Sequence, residues 1–410
     1  MKSFKKSFML LAVPLVLSGC STEIDSTSSV TLSDSSQVTL AGDGSIVTSG
    51  QAVDYDDDGS TITPAAGDDF YGQDADYSSD GFSFTTWNDT TIDNNTGLMW
   101  QSVPSDDKFS WDEGTEYCED LELDGYSDWR LPSAEELFSI SDFETGWPYL
   151  DTEYFSFPAE SEVSGPGADG GPQGKVNESS TTTPAVEESG SVSKDQGQFW
   201  TSNFYKVTED GAATNVAFGV NHATGHIKAY PASETGPMAK HVRAVRGEEY
   251  GVSTFVDNGD GTVTDQTSNL MWMSDDLGSA MEWKEALSEA ETTTYADYSD
   301  WRLPDVKELQ SIVNYDGSYP AIDQTKFNCT KYDDNVNYYF WTNTSAYFSS
   351  QSPVYGYAWY VAFGFAVGND GLDSHGAGAV RFSPKYAESS SVGEGGDNVT
   401  NSVRLVRNIA

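Results

Sequence analysis

The sequence predicts an α+β protein made of two tandem copies of one module, each with short antiparallel strands and about two helices. A Trp-Arg-Leu-Pro stretch begins at Trp129 and again at Trp301, 172 residues later (301 minus 129). The same spacing relates Leu98-Met99-Trp100 to Leu270-Met271-Trp272. Matches that stay in register over this distance indicate an internal repeat. Within each copy, strand-like alternation and helix-like periodicity follow one another in the same order.

The N-terminus has the pattern of a bacterial lipoprotein signal peptide, predicted over residues 1–20. Three lysines precede the apolar run from Phe8 to Leu17, which is too short to span a bilayer as a helix. Leu17-Ser18-Gly19-Cys20 then matches a lipobox, so Cys20 is the predicted lipidation site and the membrane is reached through this lipid anchor. The residue after the cysteine is Ser21 rather than Asp, which resembles the pattern of lipoproteins that are sorted to the outer membrane. Whether the protein faces the periplasm or the cell surface stays open.

The charge is strongly negative, with 21 Lys and Arg against 65 Asp and Glu. Such a surface repels nucleic acid, so no nucleic-acid partner is predicted. The same surface attracts cations, and calcium is the one cofactor that the composition suggests. Aromatic residues make up 13% of the chain, which is enough to build packed cores.

Residues 21–67 are rich in Ser, Thr, Asp and Gly and are predicted to form a flexible acidic tether. Asp54 to Gly59 resembles the beginning of a calcium loop. Ala65 stands at the twelfth position, however, where an EF-hand needs a carboxylate. A solvated acidic linker is therefore the favoured interpretation.

Module one is predicted at residues 68–247, with a loop insertion at 158–198, and module two at residues 250–408. Module one is expected to begin with short aromatic strands between Phe70 and Phe84. Hairpins are expected at Thr91–Trp100 and Phe255–Asp265, because Asn, Asp and Gly supply the turn conformations between alternating strands.

A helix is predicted from Trp111 to Leu121, and the equivalent helix in module two around Trp283. The Trp-Arg-Leu-Pro arm that follows ends at a proline, after which Ser133 with Glu136, and Asp305 with Glu308, form capping boxes for a second helix. The motif is therefore interpreted as structural, with these residues in the framework: Trp129, Arg130, Pro132, Glu136, Trp301, Arg302, Pro304 and Glu308.

Three further matches close each module. Phe199-Trp200-Thr201 matches Phe340-Trp341-Thr342, Val216-Ala217-Phe218 matches Val361-Ala362-Phe363, and Val242-Arg243-Ala244-Val245-Arg246 matches Val403-Arg404-Leu405-Val406-Arg407. We interpret these segments as strands joined by variable loops, which is where binding sites are commonly found.

Together, the Thr96-Gly97-Leu98-Met99-Trp100 hairpin, the tryptophan helix, the Trp-Arg-Leu-Pro arm, the Trp-Thr strand and the terminal Val-Arg strand resemble the Lcl C-terminal domain family. The resemblance covers roughly residues 68–408. It implies C-type-lectin-like modules in an exported lipoprotein or adhesin. Family members often carry Cys where this chain has Ala244 and Leu405, so Cys329 lacks its expected partner.

The resemblance implies recognition of a glycan or a protein ligand. The adhesin that gives the family its name binds sulfated glycosaminoglycans. That ligand does not transfer to this chain, because its acidic surface repels a polyanion over the screening range of about 8 Å at physiological ionic strength.

The candidate ligand-binding residues are Asp373, His375 and Arg381, which lie in or next to a Gly-rich loop of module two. His222 and His226 are four residues apart, but Gly225 and the flanking alternation favour a hairpin turn over a metal site. The basic residues late in module one, Lys228, Lys240, Arg243 and Arg246, are interpreted as structural ion partners.

The candidate calcium ligands are Asp257, Asp260 and Asp265 around an Asp-Gly turn. The favoured alternative is a plain hairpin whose carboxylates face solvent.

No catalytic residues are predicted, and the leading hypothesis is a non-enzymatic binding protein. One alternative is a structural envelope lipoprotein without a specific ligand. Another is a relative of the formylglycine-generating oxidases, which use a redox cysteine pair. Cys118 and Cys329 lie in different modules, which argues against that chemistry, although the sequence leaves open whether they are free or bridged.

Overall fold

The computed structural model describes residues 45–77, 81–144, 146, 148–158, 196–205, 215–233, 235, 239–315, 319–331, 338–347, 355–367, 373, 375–386 and 399–409. Predictions for the signal peptide, Cys20, tether residues 21–44 and insertion residues 159–195 lie outside this range. Within it, no helix has the length and apolar character needed to cross a bilayer.

Module one contains nine elements in the described part of the chain. They are β3 (Phe84–Trp87), β4 (Thr90–Asp93), β5 (Met99–Gln101), α1 (Trp111–Glu119), α2 (Ala134–Ser139), β6 (Gln198–Tyr205), β7 (Val216–Asn221), β8 (His226–Pro231) and β9 (Val245–Arg246).

Module two repeats this order. Its elements are β10 (Phe255–Asp257), β11 (Thr262–Asp265), β12 (Leu270–Met273), α3 (Trp283–Thr292), α4 (Val306–Gln310), β13 (Tyr339–Ala346), β14 (Tyr357–Ala362), β15 (Val380–Pro384) and β16 (Val406–Asn408). All strand pairings between named strands are antiparallel, which confirms the α+β prediction at the level of class. Both predicted capping boxes are present, and a third one, Ser110 with Glu113, begins α1.

Residues 45–77, which we call the strap, pack mainly on module two and also contact module one, where Phe143 N donates to Ser49 O at 2.8 Å and Phe143 O accepts from Gln51 at 3.2 Å. They contain β1 (Asp54–Tyr55), β2 (Thr61–Ile62) and a short 3-10 helix at Asp74–Asp76. Val47, Ser49 and Gln51 are at most 3% exposed, which corrects the prediction of a flexible tether for residues 45–67. Phe70 joins the core around Trp283, so residues 68–77 also belong physically to module two rather than to module one.

The closing strand of each module returns to the first hairpin. Strand β9 pairs with β5, and β16 pairs with β12, which completes a four-stranded sheet in each module. The arm that carries the Trp-Arg-Leu-Pro motif joins the same strand, because Arg130 N donates to Val245 O at 2.9 Å and Arg302 N donates to Val406 O at 3.0 Å. The first and last segments of each module are thus held together.

The arginine of the motif forms an ion pair with the glutamate of the capping box. Arg130 donates two hydrogen bonds of 2.6 Å to the carboxylate of Glu136, and Arg302 does the same to Glu308. The exposed fraction of the arginine side chain is 34% for Arg130 but 8% for Arg302. In both copies the motif arginine is thus bound to the helix that follows it, and the interpretation of the whole motif as framework stays a prediction.

The second halves of the two modules form one six-stranded sheet, in the order β13-β14-β15-β8-β7-β6. The two modules meet where Val380 of β15 pairs with Ile227 of β8. Trp359 of module two is fully buried against Phe143, Tyr149 and His226 of module one, with ring centroids 5.3 to 5.6 Å apart. We call this junction the seam.

We predict that Glu308→Gln destabilises the protein by about 3–5 kcal/mol, because it leaves the buried guanidinium of Arg302 without its charge partner. Glu136→Gln is expected to cost less, since Arg130 keeps contact with water. The control is Asp128→Asn at the Arg246 pair, whose aspartate is 62% exposed, with an expected loss of about 0–1 kcal/mol. Denaturant unfolding measures all three, and equal losses would contradict the ranking.

We also predict that the two modules unfold as one unit, because the six-stranded sheet runs through both. Calorimetry should give a single transition whose calorimetric and van't Hoff enthalpies agree. Trp359→Ala at the seam should cost about 3–5 kcal/mol, whereas the half-buried Trp87 of module one provides a control of the same size with a smaller loss. Two separate transitions in the unmodified protein would show that the seam does not couple the modules.

Candidate functional site

The predicted ligand-binding loop of module two lies at the seam. Asp373 accepts a hydrogen bond from the hydroxyl of Tyr205 in module one at 2.8 Å. Its other oxygen accepts from the backbone N–H groups of Ala366 and Gly376, at 3.1 and 3.0 Å. Burial raises the pKa of Asp373 above its ordinary value. These bonds fasten the loop to the neighbouring module.

The other two candidate residues are also buried. The backbone carbonyl of His375 accepts from Ala229 N of module one at 2.8 Å, and the residue is 3% exposed. Arg381 is 1% exposed, and its Nη1 donates to Val367 O at 3.1 Å. This placement favours a role in joining the modules, and contact with a ligand stays a prediction.

The three candidate calcium ligands have separate hydrogen-bond partners. Asp257 accepts from Gly259 N at 2.8 Å, and Asp260 accepts from the N–H and hydroxyl of Thr262 at 3.0 and 2.6 Å. Asp265 is buried and accepts four hydrogen bonds at its two oxygens, from Thr254, Thr267, Ser253 and Ser268. In the described residues, no group of three or more His, Cys, Asp or Glu could hold a metal ion. Calcium binding remains a prediction.

His222 lies in the predicted hairpin turn between β7 and β8, and His226 is the first residue of β8. A ring nitrogen of His222 lies 3.0 Å from Leu137 O, and burial lowers the pKa of this histidine to about 3. Nδ1 of His226 lies 3.0 Å from the hydroxyl oxygen of Thr224. The two rings therefore have structural partners on the protein itself.

Both cysteines outside the signal peptide are free thiols. Burial raises the pKa of Cys118 to about 12, and burial also raises the pKa of Cys329. A nucleophilic or redox cysteine needs the opposite shift, because the thiolate is the reactive form.

Two arginines in equivalent positions are buried among backbone carbonyls rather than carboxylates. Arg243 Nη1 donates to Gln101 O and Ser102 O, both at 2.7 Å, and its guanidinium lies between two phenylalanine rings. Arg404 repeats this arrangement with Met273 O and Ser274 O. Burial lowers the pKa of Arg243 to about 9. The prediction of ion partners holds for Arg246 with Asp128, whereas for Arg243 the observed partners are carbonyls.

The strap is held along the edge strand β13 of module two. The side-chain amide of Gln51 bonds both backbone groups of Ser345, with Ser345 N donating at 2.7 Å and Ser345 O accepting at 2.9 Å. The hydroxyl of Thr344 donates to Asp74 at 2.6 Å. Phe70 packs on Trp283 with ring centroids 6.3 Å apart. The strap thus contacts one surface of module two through a side-chain amide, a carboxylate and an aromatic ring.

Two buried lysines of module two bind backbone carbonyls of the strap, and one of them also binds a carbonyl of α2 in module one. Lys307 Nζ donates to Thr48 O at 2.9 Å and to Ser139 O at 2.6 Å. Lys385 Nζ donates to Tyr55 O and Asp56 O, at 3.0 and 3.1 Å. Burial lowers the pKa of Lys307 to about 7 and lowers the pKa of Lys385 well below its ordinary value.

Two aspartates of the strap complete a cluster of shifted titratable groups. Burial raises the pKa of Asp54 and of Asp74 to about 6 each. Such clusters are typical of functional sites, although ion networks within a framework also produce them. Here all four groups lie between the strap and module two, so the arrangement can fasten a segment of chain and make that fastening sensitive to pH.

The sequence interpretation missed this cluster because its members are far apart in the chain. Lys385 is 330 residues from the carbonyl of Tyr55 that it binds. A comparison of the two copies of the repeat contained one sequence signal of this contact. Lys284 and Lys385 of module two stand where module one has Asp112 and Ala232, a difference that indicates an acidic or carbonyl-rich partner for module two alone.

The family model described as the Lcl C-terminal domain matches residues 89–246 and 261–382. The two matched segments correspond to the two copies of the repeat. No curated protein and no solved structure matches the chain.

We predict that Asp74→Asn raises the stability of the protein relative to the unmodified chain. This difference in stability should grow as the pH rises from 4 to 7. A carboxyl with a raised pKa favours the folded state when it is protonated, so its contribution is present below its unfolded pKa and is lost as the pH rises through about 6. The measurement is the difference in melting temperature between variant and unmodified protein at each pH. Asp58→Asn, at an exposed strap residue, is the control, and a difference that does not change with pH would contradict the prediction.

Proposed function

The chain belongs to the Lcl C-terminal domain family, and from this premise we propose that it is an outer-membrane lipoprotein whose tandem modules bind a glycan or protein ligand. In this proposal each module has a C-type-lectin-like fold, and the lipid anchor is attached at Cys20. The lipobox and the serine after it support the anchor and its destination. The antiparallel sheets with few helices are compatible with the proposed fold.

The observation that carries the proposal is that, in the described residues, charged side chains that could serve a reaction are bound within the framework. The motif arginines form ion pairs with Glu136 and Glu308, and Arg243 and Arg404 bind backbone carbonyls. The thiols have raised pKa values, which is unfavourable for an oxidase. In the part of the chain that the structure describes, these groups serve the framework, which supports a binding protein with a rigid frame.

The charge of the surface restricts the class of ligand. The chain has a net charge of −44, and many of its acidic side chains are exposed, such as those on α1. A sulfated or otherwise polyanionic glycan would meet repulsion at short range. We therefore expect a neutral glycan, a basic protein, or an anionic ligand bridged by Ca²⁺. A structural envelope lipoprotein without a ligand is the alternative.

We predict saturable binding of the lipid-free protein (residues 21–410) to members of a glycan array or to envelope proteins in a pull-down. Each experiment is run with 2 mM Ca²⁺, with 2 mM Mg²⁺ and with neither. A rise in melting temperature with Ca²⁺ beyond that with Mg²⁺, lost in Asp257→Asn with Asp260→Asn, would support the calcium site. Equal rises in melting temperature with the two ions would contradict the calcium site and leave the ligand proposal unaffected.

Binding that is absent under all three conditions would contradict the ligand proposal and leave the structural alternative. Enzymatic activity that disappears in Cys118→Ser or Cys329→Ser would instead favour an oxidase.

A further inference from the structure

The surface of module two that the strap covers has a counterpart on module one. On module two this strap face consists of α3 and the edge strand β13, and on module one the counterpart face consists of α1 and β6. Trp283 Nε1 donates to Thr342 O at 2.7 Å, and Trp111 Nε1 donates to Thr201 O at 2.8 Å. Both edge strands also shift register after the equivalent tryptophan. The two faces are therefore built alike.

Chain connectivity explains why the two faces are covered differently. The segment that leads into each module packs on the other module, since Tyr77 lies 5.4 Å from the guanidinium of Arg302 and Tyr250 N donates to Glu136 at 3.2 Å. The strap that leads into module one is 33 residues long, from 45 to 77. The linker that leads into module two, 248–254, has only seven residues and is needed to connect the modules. It reaches Glu136 but cannot also follow β6.

The exposure of equivalent residues differs accordingly. Under the strap, Trp283 is 0% exposed and Ser345 is 1% exposed. On the counterpart face, Trp111 and Phe204 are half-buried and Ser202 is exposed. Phe204 stands at the position of Ser345 and packs edge-on against Trp111, with ring centroids 4.4 Å apart. The first part of β6 pairs with the protein's own chain, since Trp200 N donates to His241 O and Ser202 N to Pro132 O. The end of β6 and the partly exposed aromatic pair lie side by side beyond it.

The two faces differ in charge at equivalent positions. These charges would attract an acidic segment on module two and repel it on module one. Lys284 of α3 forms an ion pair with Asp69 of the strap, whereas the equivalent residue of α1 is Asp112. Lys385, which binds two strap carbonyls, is replaced by Ala232 at the end of β8. The outer surface of α1 carries four exposed acids, Asp112, Glu113, Glu116 and Glu119, and the exposed Asp120 follows directly. This face would repel a segment like the strap and attract a basic one.

We propose that the counterpart face of module one binds an extended, basic segment of a partner protein. The segment crosses the end of β6 at Phe204, as the strap crosses the end of β13 at Ser345, and it contacts that end through side chains. Its Lys or Arg side chains face the acids of α1, and an apolar side chain packs on Trp111 and Phe204. This site rests on the proposed binding function, for which it names a location and a class of partner.

The test measures fluorescence anisotropy of a labelled peptide, Lys-Val-Lys-Thr-Lys-Val-Lys, with lipid-free protein (residues 21–410) in 150 mM NaCl. Asp112→Lys with Glu116→Lys reverses two charges on α1. The matched control, Glu285→Lys with Glu289→Lys, makes the same change of charge on exposed positions of α3. Phe204→Ala removes the apolar contact without changing charge. Circular dichroism and melting temperature verify that each variant is folded.

We expect saturable binding that weakens at least tenfold in Asp112→Lys with Glu116→Lys, at least threefold in Phe204→Ala, and less than twofold in the α3 control. The reversed peptide, Glu-Val-Glu-Thr-Glu-Val-Glu, should not bind. Equal weakening in the α1 and α3 variants would mean general charge attraction and would overturn the proposal, as would the absence of saturable binding.

The outcome separates this site from the proposed function. If a ligand found by the glycan array or pull-down binds the α1 variant as it binds the unmodified protein, the binding function stands and this face is not its site.

Discussion

Each module depends on one glutamate that serves two elements at once. Glu136 and Glu308 accept a hydrogen bond from the residue that caps their own helix and also neutralise the arginine of the preceding arm. The backbone of that arginine pairs with the closing strand of the module. A single carboxylate therefore links the start of a helix, an extended arm and a strand that is more than a hundred residues away in the chain.

The two modules form one structure because each contributes to the other. They share a six-stranded sheet, exchange their lead-in segments, bury Trp359 at the seam and join there through the bond from Tyr205 to Asp373. The arrangement is close to symmetric in its strands but not in its connections. The long strap and the short linker cannot cover equivalent surfaces, so two copies of one module acquire different exteriors. The two copies can therefore serve different roles while they keep the same fold.

The sequence predicted those features whose cause is local. The capping boxes at Ser133 and Asp305 follow from residues three positions apart, and the repeat made each element visible twice. The strap could not be predicted in this way, because its burial comes from partners such as Ser345, 294 residues from Gln51. Its low content of large apolar residues looked like that of a solvated linker, whereas the structure holds it mainly by hydrogen bonds to lysines and backbone.

The placement of the candidate residues follows the same division. Asp257 and Asp260 lie in the turn that their neighbours predicted. The sequence places Asp373, His375 and Arg381 in or next to a Gly-rich loop, and the burial of His375 and Arg381 becomes visible only in the folded protein. The strap also fixes how mechanical load enters the molecule. A pull on the strap from its N-terminal side meets Lys307 of module two at Thr48 and Phe143 of module one at Ser49, so both modules share the load from the start.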